Sequence, residues 1–222
     1  MIKALLLVFN PEGTWDGIAS TRRRWPVILL GYLFPLWLIA FVAEGYGLVH
    51  WGKPQGVISY VKVYSHSEAL IFEILQLFLM LVVVFVGARL LRALSETFHG
   101  RNTFNQAFTV VAYGLSPFFT LRIFDIFPGI SGWVYWVTWI AGIFLAIGLL
   151  YHGIPKVMLP DPAHAFGLYL ISSVFLIMVT GFVRFLTYSY LAGKFGKLDA
   201  LISNIVAHAP FLQSFDQMHF FK

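Results

Sequence analysis

Six polar side chains stand within or at the ends of otherwise apolar stretches: Glu44, Glu73, Gln76, Arg122, Asp125 and Arg184. Three carboxylates, two guanidinium groups and an amide form a set that can pair or hold a ligand. An unpaired charge in hydrocarbon costs a few kcal/mol or more, so opposite charges at one depth point to pairing. Arg122 and Asp125 are also i, i+3 neighbours, which places them on one helix face. Such a set can form a polar pocket for an ion, a proton or a lipid headgroup, with Glu73 as its leading member. It can equally act as glue between helices, or send its ends to the interface, and that is the commoner use.

A second group, expected as a cytoplasmic loop motif, is Tyr151, His152, Gly153, Pro155 and Lys156, where a long apolar stretch gives way to turn residues. A histidine there can titrate near neutral pH, although an interfacial cap is its commoner role. Catalytic signatures such as H-E-x-x-H and G-x-S-x-G do not occur. Gly47 to Lys53 has the G-x-x-x-x-G-K spacing of a phosphate loop. Pro54 then stands where a hydroxyl should ligate magnesium, and the segment follows an apolar helix instead of a strand, so a turn explains it better. With no cysteine in the chain, disulfides, thiolate catalysis and thiolate metal sites are excluded. No catalytic, cofactor-binding or metal-ligating residue is expected, and the protein reads as non-enzymatic.

The elements that must carry these residues follow from composition. Hydrophobic residues make up 59% of the 222 and charged ones 11%, with a mean hydropathy of +0.79. A soluble domain carries about 25% charged residues, so this chain cannot clothe a water-facing surface. Five stretches are long enough for a hydrocarbon layer, which takes about 20 helical residues: 26–49, 69–91, 107–124, 133–151 and 165–188. Pro26 suits a first helical position, and Pro35 and Pro117 are placed to bend their helices. Trp133, Trp136 and Trp139 read as an interfacial belt, and Gly142 and Ala146 have small-xxx-small spacing. The expected fold is an all-α transmembrane bundle of five helices, forming a single membrane domain.

Both ends add shorter segments. Met1 to Phe9 is too short an apolar run for a signal peptide and is expected to remain as an interfacial segment. The tail, 194–222, repeats Leu198, Leu201, Ile202, Ile205 and Val206 at helical spacing, with Pro210 and four phenylalanines beyond. Such an amphipathic helix can lie in the interface or pack on its own bundle. The Arg22–Arg24 triplet and the group Arg89, Arg92 and Arg101 favour a cytoplasmic N-terminus and a C-terminus outside. The six polar residues then share the outer half of the membrane. The net charge of +5 contains no long basic run and does not suggest nucleic acid.

Three short pieces resemble the Yip1 family of five-span membrane proteins, particularly small bacterial members. They are Pro11-x-x-x-Trp15-x-x-Ile18 before the first stretch, Phe108 to Pro117 (FTVVAYGLSP) in the third, and Tyr151-His152-Gly153-Ile154-Pro155-Lys156 between the fourth and fifth. The resemblance implies a five-helix bundle with a cytosolic N-terminus, here in a bacterial cytoplasmic membrane, and brings no catalytic residues. Eukaryotic relatives act in vesicle traffic, contact small GTPases and carry a longer soluble N-terminal region, whereas about 24 residues precede the first stretch here. The expected role is a membrane scaffold that packs with lipids, with other membrane proteins, or with a second copy of itself. The alternatives are a transporter or lipid-handling protein that uses the polar cluster, and an accessory subunit of a larger complex.

Overall fold

The computed structural model describes residues 2–55, 60–98, 102–127 and 132–208. Arg101 and the tail beyond His208, with Pro210 and its phenylalanines, lie outside these. Among the described residues, five helices are long and apolar enough to cross a membrane. They are α3 (Trp25–His50), α4 (His66–Thr97), α5 (Phe104–Ile126), α6 (Gly132–Met158) and α7 (Pro162–Leu191). Two shorter helices, α1 (Ile2–Phe9) and α2 (Pro11–Thr21), precede them, and α8 (Gly196–His208) follows.

Side chains cap the starts of α2, α4, α5 and α7. Ser65 and Glu68 form a reciprocal capping box at α4, as do Thr103 and Gln106 at α5. In α3, Pro26 lies in the first turn, and the turn before Pro35, Leu29–Leu33, widens into a π-helix. Proline offers no N–H and its ring crowds the preceding carbonyls, so the ladder loosens there. Leu115 interrupts α5 just before Pro117, and its last turn, Arg122–Ile126, tightens to a 3-10 helix. The connection after α3 contains a short antiparallel ribbon, β1 (Lys53–Gln55) with β2 (Tyr60–Lys62), pairing Lys53 with Lys62.

Helix α5 is the central element. Of its most apolar window 78% is buried, against 33–39% for the other four, and its mean hydropathy is the lowest at 1.4. The two facts agree, because a helix surrounded by protein does not need a lipid-facing surface. Gly142 lets α6 approach it closely: a Cβ there would lie 2.9 Å from the Phe118 Cα, and Ala146, one turn on, is buried.

The N-terminal segment is more than an interfacial strip. Leu7 and Trp15 are fully buried against the bundle. At the opposite end of the molecule, α8 packs on α4, and Ile202 joins Leu48, Tyr64, Phe72, Tyr190 and Leu191 in a second apolar cluster. Leu201 and Ile205 remain exposed.

Candidate functional site

The tightened last turn of α5 builds the first site. In a 3-10 helix residues i and i+3 eclipse each other, so Arg122 and Asp125 project together, with Nε to Oδ2 at 3.6 Å. Arg122 donates through Nη2 to the Glu44 carboxylate of α3 and stands over the Phe41 ring at 5.3 Å. Gln76 of α4 donates to the same Glu44 oxygen at 3.0 Å. Asp125 in turn receives two bonds from Arg184 of α7, at 2.7 and 2.9 Å, and Arg184 reaches Thr138 of α6 at 3.2 Å. One network therefore ties all five long helices together.

Burial makes this network consequential. Glu44, Arg122, Asp125 and Arg184 are 1–5% exposed. Arg184 therefore does not snorkel to the interface. A buried ion pair adds little net stability over a well-packed apolar substitute, but losing one partner strands the other and costs about 3–5 kcal/mol. The geometry accordingly specifies how the helices meet.

Glu73 differs from the rest. It is 8% exposed, and neither carboxylate oxygen has a hydrogen-bond partner among the described residues. It lines a groove of about 450 Å3 between α3 and α4, whose walls include Leu38, Val42, Ile74 and Leu77. Gly45 stands beside it, where a Cβ would be in ordinary contact with the Glu73 Cγ at 3.7 Å. At the same end Lys53, the first residue of β1, is buried, its ammonium 5.1 Å from the centre of the Tyr188 ring. Burial is the chief cause that brings its ammonium down to about 8.

The second group needs a correction. Tyr151, His152, Gly153, Pro155 and Lys156 do not form a loop: α6 continues through all of them to Met158. Pro155 cannot donate to the preceding turn, yet nearby tertiary contacts hold the helix, including Gln106 Nε2 to the Val157 carbonyl at 3.2 Å. Gly153 is the seat of Trp15, where a Cβ would come within 2.7 Å of the indole Cε2. Lys156 bonds Asp16 and the Glu12 carbonyl, each at 2.7 Å, and His152 Nδ1 lies 4.0 Å from the Glu12 carboxylate. Trp15 also meets Tyr113 edge-on at 6.3 Å, and Tyr113 packs on Tyr32 at 4.3 Å. The three short pieces read from the sequence thus converge at one end of the bundle.

Thr138, Gly45, Lys53 and Trp15 were not singled out for these roles from the sequence. Thr138 gave a faint signal as a hydroxyl in a charge-free stretch. Among the described residues no three His, Asp or Glu side chains gather as a metal site requires.

No curated protein and no solved structure matches the chain. The family model of the Yip1 domain matches residues 5–185, from within α1 to the last turns of α7, and takes in the ionic network and the Trp15 seat together. The chain belongs to the Yip1 domain family.

Proposed function

We propose that the protein is a non-enzymatic integral membrane scaffold that works by packing with lipids and partner membrane proteins. The observation that carries this reading is the five-helix ionic network, whose charges are spent on holding the bundle in one arrangement. The faces left outward on α4 and α7 are apolar, with Phe78, Val82, Met178 and Phe182 exposed. Such faces suit lipid tails and the apolar sides of other helices alike. An accessory-subunit role in a larger complex uses the same faces.

The test is gentle extraction into native lipid discs, then mass spectrometry of whatever stays bound. A stoichiometric membrane protein, or a second copy of the chain, is the result expected of a scaffold. A bare chain with no protein and no enriched lipid overturns it.

Glu73 favours a second reading, a lipid-handling or transport role, because its carboxylate faces an apolar groove with no hydrogen-bond partner among the described residues. Comparing Glu73→Gln with Arg184→Met separates the two. The second reading expects Glu73→Gln to lose flux or growth at unchanged folding. If every defect follows stability alone, that reading fails.

A further inference from the structure

The groove between α3 and α4 has a polarity that selects one kind of occupant. Within the hydrogen-bonded network two guanidinium groups meet two carboxylates, Glu44 and Asp125, so Glu73 is the carboxylate left over. At 8% exposure it lacks the water that would otherwise stabilise it. An ammonium group entering the groove supplies both the opposite charge and the donors that these oxygens lack.

Depth identifies the source of that ammonium. Residues 74–88 of α4 carry no charge, and Arg89 is the next ionic residue. At 1.5 Å per residue this stretch is about 23 Å long, most of the roughly 30 Å hydrocarbon layer. With Arg89 at one boundary, Glu73 lies close to the other, at the level where headgroups begin. His66 opens α4 about two turns above it, and His50 closes α3 beside the same groove. Both histidines mark the water side of the carboxylate, so Glu73 stands between the aqueous boundary and the apolar part of the groove. Leu38 and Leu77 line the opposite, deeper end.

This inference rests on the lipid-handling reading. We propose that the α3–α4 groove binds one zwitterionic phospholipid with a primary ammonium headgroup, its ammonium on Glu73. The acyl chains leave between Leu38 and Leu77 into the membrane.

The experiment is native mass spectrometry of the full chain given equal amounts of four lipids with identical acyl chains. These are phosphatidylethanolamine, its N-methyl and N,N-dimethyl forms, and phosphatidylcholine. The charge is constant along the series while the N–H donors fall from three to none. The expected result is one retained lipid per chain, with preference falling along the series by roughly tenfold in total, the scale of a lost charge-assisted hydrogen bond. Glu73→Gln should flatten the series, and Glu73→Asp, which keeps the charge, should retain part of it. Gly45→Leu, which fills the groove beside an intact carboxylate, should lower retention of all four. Melting in detergent identifies any variant that has merely unfolded, and the wild-type series decides the matter even if all variants do. Equal retention of the four lipids overturns the headgroup assignment and leaves lipid binding standing. No retained lipid at all overturns both. A protein captured through Glu73 in place of lipid overturns the lipid as occupant and leaves the scaffold reading intact.

Discussion

Arg184 grips Asp125 with two parallel bonds, Nη1 to Oδ2 at 2.7 Å and Nη2 to Oδ1 at 2.9 Å, across 59 positions of sequence. Both residues are at most 5% exposed. This fork-to-fork contact holds the last long helix against the central one, and a lysine could not reproduce its geometry.

Replacing Arg184 by Met should therefore destabilise the bundle by about 3 kcal/mol, because Asp125 would lose its principal donor. Adding Asp125→Leu should recover part of the loss, since neither charge then remains stranded. Unfolding of both variants in a mild detergent measures this. Additive losses in the double variant would show that the two residues do not act as a pair.

Gly153→Ala should dislodge Trp15, whose indole occupies the space of the new methyl group. Overpacking of this kind costs about 1–3 kcal/mol. Limited proteolysis should then cut within 2–21 faster than in wild type. An unchanged cleavage pattern would mean that α2 has another hold on α6 strong enough to absorb the shift.

Burial lowers the Lys53 ammonium to about 8, below its ordinary value of about 10.4. The unfolded chain therefore binds more protons than the folded one between those values. Stability should rise with pH from about 8 to about 10.4 and be flat on either side. Lys53→Met should remove that rise. Melting measured across this range, in wild type and variant, checks the sign. A fall over the same window would point to an interaction that holds the charged form, such as the Tyr188 ring.

Orientation has its own test. A reporter fused after Lys222 should be active only outside the cytoplasm, and one placed within 95–103 only inside. The arginines at 22–24 and 89–92 motivate this expectation. The reverse pattern would invert the bundle.

The five long helices were legible because hydropathy over some 20 residues is a local property that needs no partner. The capping boxes at Ser65 and Thr103 extend α4 and α5 beyond their apolar cores for an equally local reason. The six polar residues could be grouped by depth, since helices that alternate direction bring Glu44, Arg122 and Arg184 to one level. The continuation of α6 through Gly153 and Pro155 was not legible, because turn-forming residues there are overridden by the seat of Trp15 and by Gln106.

The amino-acid sequence by itself determined that this chain builds apolar helices of membrane-spanning length, and it bore the mark of the Yip1 domain. Only the tertiary structure decided which charges meet. Glu44 takes Arg122, Asp125 takes Arg184, and Glu73, with no hydrogen-bond partner among the described residues, faces the groove. Hydropathy sets how deep a side chain stands, but its partner depends on helix rotation, and rotation is settled by packing between segments remote in sequence.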